Sequence, residues 1–290
     1  MLRYRRIALT AKPNLTGKEE IMRTLVECMR EIGAEILVDR DTLNDVDVLR
    51  SFDSYAFGDA ADLLLVVGGD GTILRAVREL PDLSVPIVSV NRGSVGFLTE
   101  LLTEEVASLL PRLLEGAGIV EERHLIHVDV ERDGAKVFES RALNEVAISQ
   151  GAIARLLNVR TCIDEESLAT FHADGLILAT PTGSTAYSLA AGGPVVHPRL
   201  DAIILTPINP HSLTQKPIVI PGGSIIRSEI LTATSTPVPP HVSLTVDGQT
   251  YFELHGEDRV TVRMHPDAVR FIRRNKETFY KTIRSKLRWG

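Results

Sequence analysis

The sequence predicts a two-domain α/β protein, with an amino-terminal α/β domain followed by a β-rich second domain. Three observations predict it. In the first hundred residues, short apolar runs alternate with amphipathic segments, the pattern of β-α-β units on a parallel sheet. Beyond them, closely spaced strands with polar turns replace the long helical patterns. A chain of 290 residues also exceeds one small core and fits two domains of about 100–200 residues each.

Taken in order, Ile7-Ala8-Leu9 reads as the first strand. Thr16 to Ile32 carries Ile21, Leu25, Cys28 or Met29, and Ile32 at helical spacing, with Thr16 and Glu19 in a capping-box pattern and Gly33 as the stop. Ile36-Leu37-Val38, Leu63 to Val67 and Pro86 to Val90 follow as strands. The unbroken apolar character of the middle one predicts burial on both faces. Thr103 to Leu114 reads as a helix, and the second domain is expected to open near Leu98–Leu102. The expected domains are therefore 1–99, rejoined by about 272–290, and 100–271. In the second, Leu125–Val130 and Val137–Ile148 flank Asp133-Gly134, while Leu244–Val246 and Tyr251–Leu254 flank Asp247-Gly248; both are hairpin-type turns. Thr236 to Pro240 reads as a stiff loop. Glu277 to Leu287 returns to helical spacing through Phe279, Ile283 and Leu287.

Composition narrows the function classes. With 44% hydrophobic and 24% charged residues the chain has the balance of a globular protein. Its 32 basic and 38 acidic residues give a net charge of −6, which offers no broad attraction for nucleic acid or an anionic membrane. An anionic ligand needs a local positive site. Cys28 and Cys162 lie in no C-x-x-C or Cys/His cluster and read as reduced core residues. No apolar run approaches the roughly 18 residues of a membrane span, and the basic amino terminus lacks an h-region, so a cytoplasmic location is expected.

Two segments carry chemistry. A strand emptying into Gly68-Gly69-Asp70-Gly71-Thr72 and then a helical pattern sets backbone N–H groups, unobstructed by side chains, at a helix amino terminus, which is an anion site. Neither the P-loop nor the G-x-G-x-x-G fingerprint is present. Asp70 has three readings: acceptor of a hydroxyl proton, organiser of Mg²⁺, or cap of the helix in a tight turn. The second segment runs from Ala173-Asp174 through a buried strand into a turn rich in hydroxyls, Thr182, Ser184, Thr185 and Ser188, with Tyr187 available to stack on a ring. It reads either as a ribose and phosphate site or as a well-capped helix start. Asn144-Glu145 interrupts an apolar strand, so at least one of the pair faces inward, as a ligand contact or a bulge. Asp174 is a ligand contact or the cap of a turn.

Together these blocks resemble the NAD kinase family, in order and over nearly the whole chain. Further blocks carry the resemblance: Asn91 to Leu98, Asp174 to Pro194 ending Ala190-Ala191-Gly192-Gly193-Pro194, His211-Ser212-Leu213-Thr214, Val246-Asp247-Gly248-Gln249 and Lys286 to Gly290. The resemblance implies a Rossmann-like α/β domain, a β-sandwich-like second domain, a carboxy-terminal helix returning to the first, and an active site between the two. It implies transfer of the γ-phosphoryl of ATP, or of polyphosphate, to the 2′-hydroxyl of the adenosine ribose of NAD, with Mg²⁺ as cofactor, Asp70 as general base, and Gly68, Gly69, Gly71 and Thr72 cradling phosphate. It carries NAD contacts onto Asp70, Gly71, Asn144, Glu145, Asp174 and the stretch Thr185, Ala186, Tyr187, Ser188, Leu189 and Ala190, and by position onto Arg75, Arg155, His172 and Gln249. It names no metal-ligating residue and implies a homodimer or homotetramer. Gln215-Lys216, where an arginine is common before the proline, and an unusually basic terminal helix depart from the family pattern. Lipid kinases and phosphofructokinases can share the Gly-Gly-Asp-Gly turn, but the Asp174 to Pro194 block argues against both. A dinucleotide sensor without catalysis is the other alternative, and Asp70 weighs against it.

Overall fold

The computed structural model describes residues 2–56, 60–93, 96–150, 156–231, 242–274 and 278–289. The chain forms two compact units: Met1–Glu122 with Val269–Gly290, and Arg123–Ala268. The division lies later than position 99. The reason is the expected helix at Thr103 to Leu114, whose Val106, Leu110, Leu113 and Leu114 join the same buried cluster as Ile7, Leu9, Met22, Leu25 and Leu65.

The first unit contains β1 (Arg6–Ala11), α1 (Lys18–Glu31), β2 (Glu35–Asp39), α2 (Arg40–Asp45), β3 (Asp53–Tyr55), β4 (Leu63–Val67), α3 (Asp70–Glu79), β5 (Ile87–Asn91), β6 (Leu101–Leu102) and α4 (Val106–Leu114). Its strands pair in parallel in the order β5-β4-β1-β2-β3, with β6 added beside β5. Central β4 is buried throughout, as its continuous apolar run requires. α1 begins one residue later than a capping box on Thr16 would start it. Gly17, at φ 70°, takes the cap position with no side-chain bond, so the expected Thr16/Glu19 box does not form. Its end follows expectation. Gly33, at φ 74°, lets its own N–H reach Arg30 O and the Ala34 N–H reach Met29 O, a Schellman closure. The carboxy-terminal helix, Thr278–Leu287, belongs to this unit.

β7 (Ile119–Arg132) leads into the second unit, which continues with β8 (Ala135–Ala142), β9 (Glu145–Gln150), β10 (Leu157–Ile163), β11 (Glu166–Ala173), β12 (Gly175–Ala179), α5 (Tyr187–Ala190), β13 (Ala202–Ile208), β14 (Ile218–Pro221), β15 (Ile226–Ile230), β16 (Val242–Val246) and β17 (Thr250–Leu254), while β18 (Arg259–Arg273) starts in the second unit and, from Val269 onward, belongs to the first. Six strands form an antiparallel sheet in the order β14-β13-β12-β9-β16-β17. β11, β10, β15 and β18 pair antiparallel in that order, and β7 pairs with β8. Alternate residues of both sets, among them Val128, Val146, Ile148, Val159, Leu178, Leu244 and Val260, share one buried cluster, as a sandwich requires. The two hairpin turns form as expected, with Asp133 and Gly134 at φ 51° and 77° and Asp247 and Gly248 at φ 50° and 63°.

Two expectations are corrected here. The stretch Val137–Ile148 is two strands, β8 and β9, broken at Leu143-Asn144. Cys28 is buried, but Cys162 on β10 is only half-buried; both are free thiols. Among the described residues no helix is long and apolar enough to cross a membrane. The loop from Thr236 to Pro240, and Glu277, lie outside the described residues.

Candidate active site

In the first unit, β4 runs into Gly68, whose φ of 154° and closeness to Thr72 both call for glycine: a Cβ there would lie 2.4 Å from the Thr72 hydroxyl oxygen. Gly69 is the cap residue of α3, and no side chain caps the helix. Asp70 opens α3, yet its carboxylate turns away from that helix. Oδ2 accepts the Phe97 N–H at 3.1 Å and Oδ1 accepts the Leu98 N–H at 3.3 Å. Gly96 is packed against the same carboxylate, since a Cβ on it would lie 2.3 Å from Asp70 Oδ1. The helix-capping reading of Asp70 is thereby removed. Gly71 and Thr72 lie in the first turn of α3. Arg75 lies further along α3, its Nη2 donating to Thr10 Oγ1 at 3.2 Å and Ala11 O at 3.4 Å at the end of β1, and its Nε buried without a partner.

In the second unit the Asn144-Glu145 pair is shaped by Asp247. This buried carboxylate accepts three consecutive backbone N–H groups, from Leu143 at 3.0 Å, Asn144 at 2.7 Å and Glu145 at 3.1 Å, and its own N–H donates to Glu145 O at 2.9 Å. The clamp is what breaks the strand at this point. Glu145 points inward and is buried, with Oε2 lacking a partner. Burial first, and then the negative charge of Asp247, push its carboxyl up to about 7, against a smaller opposing pull from a hydrogen bond with the Tyr187 backbone. At neutral pH Glu145 is therefore poised between the two protonation states.

The turn after β12 locks onto the same pair. The Thr180 N–H donates to Asn144 O at 2.8 Å and its hydroxyl to Leu143 O. Gly183 presses on Asn144 so closely that a Cβ would sit 2.0 Å from Asn144 O. Most of the hydroxyls read from the sequence as ligand donors are spent on other groups of the protein, within the turn and on the segments packed against it. Ser184 bonds Pro181 O and accepts the Val196 N–H, Ser188 bonds Thr206 Oγ1 at 2.9 Å, and Thr182 accepts from Arg123. A tight turn has backbone groups that no ladder reaches, and short hydroxyl side chains satisfy them. Thr185 donates to Thr182 O but keeps partial exposure, as do Ala186 and Leu189, while Tyr187 and Ala190 are exposed.

The remaining candidates lie elsewhere. β12 pairs with β9 so that Ala179 faces Glu145 and Gly175 faces Ser149. Asp174 thus stands just beyond the opposite end of β12 from Glu145, about five residues or 17 Å along the strand, and His172 lies on β11. Asp174 accepts from Asn209 Nδ2 at 2.9 Å, and exposed His172 bonds Asn158. Gln249 is exposed in its hairpin turn, its N–H on Val246 O. Arg155 lies outside the described residues. Sequence reading passed over Asp247 as a clamp, because an Asp-Gly hairpin turn already accounts for the residue.

Residues 7–118 match the family model described as ATP-NAD kinase N-terminal domain, and residues 143–274 match ATP-NAD kinase C-terminal domain. The chain is 38% identical over 286 residues to the NAD kinase of Geotalea daltonii, covering 99% of each, and 35% identical to that of Pseudomonas fluorescens, covering all of this chain and 97% of the relative. The chain belongs to the NAD kinase family. It is a phosphotransferase, an NAD⁺ kinase. Among solved structures, yeast NADH kinase complexed with NADH superposes with a TM-score of 0.88 at 25% identity, over 99% of this chain and 88% of that one. An NAD kinase from Archaeoglobus fulgidus in complex with ATP gives 0.74 at 26%, over 98% and 100%. The fold class read from the sequence, including the returning terminal helix, agrees with these neighbours.

Proposed function

We propose that this kinase transfers the γ-phosphoryl of ATP to the 2′-hydroxyl of the adenosine ribose of NAD, giving NADP, with Asp70 as general base. The observation that carries the reading is the carboxylate of Asp70, set at the amino terminus of α3 and turned off its own helix by the Phe97 and Leu98 N–H groups. In the transfer, the ribose oxygen forms its bond to the γ-phosphorus as the bond to the β-phosphate bridging oxygen breaks. The hydroxyl proton passes to Asp70 and ADP leaves. Gly68, Gly69, Gly71 and Thr72 bind phosphate through the start of α3, and Arg75 supplies positive charge.

Asn144 and Glu145 bind the dinucleotide, with Tyr187 and its neighbours from Thr185 to Ala190, together with Asp174, His172, Arg155 and Gln249, as further contacts. A carboxylate has about four lone-pair sites. Asp70 uses two of them on backbone N–H groups, and its remaining lone pairs are the ones that would serve a Mg²⁺ ion. When bound, the metal spreads the charge on the transferring group. ATP is favoured as donor over polyphosphate by the ATP complex of the Archaeoglobus fulgidus relative. The reading places the enzyme in the cytoplasm as a homodimer or homotetramer, and the net charge of −6 supports a partner list without nucleic acid or membrane.

The test is Asp70→Asn assayed with Mg²⁺-ATP and NAD. Turnover falls by about two to four orders of magnitude while NAD affinity stays within a few-fold, because the base acts on the chemistry and not on binding. Wild-type turnover in a folded Asp70→Asn protein removes Asp70 from the base role.

A further inference from the structure

Arg273 ends β18 and is 3% exposed. Its guanidinium reaches four acceptors. Nη1 donates to Leu98 O at 3.0 Å and Glu100 Oε2 at 3.1 Å, Nη2 to Phe97 O at 3.3 Å, and Nε to Glu121 Oε2 at 3.0 Å. Phe97 and Leu98 are the residues whose N–H groups hold Asp70. Each of the two thus gives its N–H to the Asp70 carboxylate and its carbonyl to Arg273. Arg274 adds to the frame, with its backbone N–H and Nε on Glu100 Oε1 and its fork on Glu105.

We propose that Arg273 is a positioning residue for phosphoryl transfer, fixing the peptide groups of residues 97 and 98 so that they aim the Asp70 carboxylate. The proposal rests on the reading of Asp70 as base. Two physical arguments support it. A buried ion pair is seldom more stabilising than well-packed apolar side chains of equal volume, so stability alone does not account for this one. A planar fork with five fixed donors, in contrast, can hold two successive carbonyls and two carboxylates at once. A lysine keeps the charge and loses that geometry.

The experiment compares Arg273→Lys, Asp70→Asn and the double variant in the full-length enzyme, with Arg132→Lys as control. Arg132 makes a two-point bond to buried Asp258 in the second unit. Arg273→Lys lowers kcat about 10- to 100-fold with KM for NAD and ATP within about 3-fold, since displacing a reacting group costs rate and not binding. Amide hydrogen exchange at Phe97 and Leu98 quickens roughly tenfold or more in the same variant, as local opening becomes easier. Added to Asp70→Asn, it lowers kcat less than about 2-fold further, because the two act as one unit. Arg132→Lys loses thermal stability but keeps its kcat. If Arg273→Lys fails to fold, Glu100→Gln carries the same readouts with a smaller loss. A folded Arg273→Lys enzyme with wild-type kcat, or a loss that multiplies fully onto Asp70→Asn, overturns the proposal. Failure of the base reading appears separately, as undiminished turnover in Asp70→Asn alone.

Discussion

Glu145 and Asp247 place two carboxylates close together in the second unit, and Asp247 is the one satisfied by hydrogen bonds. The folded-state carboxyl of Glu145 is raised to about 7 from an ordinary 4.5, so the folded chain holds a proton that the unfolded chain releases. Its stabilising contribution is complete below about pH 4.5, declines as pH rises, and is lost above about 7, an effect of roughly 3 kcal/mol. Glu145→Gln mimics the protonated side chain and flattens this dependence. In urea unfolding at pH 5 and pH 8 the variant gains on the wild type at pH 8; a gap that does not change with pH contradicts the assignment. Asp247→Asn leaves a single oxygen to serve three buried N–H groups and sets an NH₂ against one of them, which costs about 2–4 kcal/mol. In the first unit the corresponding single-atom test is Gly96→Ala, because its Cβ would fall 2.3 Å from Asp70 Oδ1. The carboxylate has to move, so kcat falls about tenfold or more while KM changes little. Unaltered kcat would mean that the observed carboxylate position is not the working one. Asp70 was legible as a candidate from its glycine turn alone. The groups that hold it, on residues 97 and 98, were not, since nothing local to either segment announces bonds across 27 and 28 positions.

At the scale of elements, periodicity found what is long and periodic. β1, α1, β4, β5 and the terminal helix follow from apolar spacing, and the Gly33 stop follows from the one conformation a helix end of this kind needs. The three-residue β3 and six-residue α2 are too short to show a period. The break between β8 and β9 was missed for a different reason. Its cause, Asp247, lies about a hundred residues further along the chain, while the local residues still read as continuous strand. Two glycines separate the kinds of constraint an element end can carry. Gly33 has φ 74° and open space around its missing Cβ, so Gly33→Ala costs only the conformational penalty, about 1 kcal/mol. Gly183 sits where a Cβ would meet Asn144 O at 2.0 Å, a backbone atom fixed by the Asp247 clamp. Gly183→Ala therefore costs more than about 2 kcal/mol and raises KM for NAD, as overpacking against a rigid neighbour does. Equal losses in urea unfolding of the two variants would show that the turn after β12 yields easily.

Over the whole molecule, the alternation of the first hundred residues and the strand-rich texture beyond them declare two units, but not their border. α4 is amphipathic, and an amphipathic helix does not reveal in its own sequence which core it will cover. It covers the first, and the division falls at Glu122/Arg123. The same units define a test of the dinucleotide assignment that is independent of turnover. A ligand that binds only the folded chain stabilises it by mass action, about 2.7 kcal/mol at a hundred times its dissociation constant. For a chain of 290 residues the entropy of unfolding converts this into a rise in Tm of about 4 °C. NAD should give this rise in the wild type and an equal one in Asp70→Asn, whose loss lies in chemistry. In Asp247→Asn the rise should shrink at the same NAD concentration, because the clamp that shapes Asn144 and Glu145 is weakened. If Asp247→Asn shows the full rise, NAD does not depend on that pair. If Asp70→Asn shows none, the carboxylate serves binding, and its role as base loses its support.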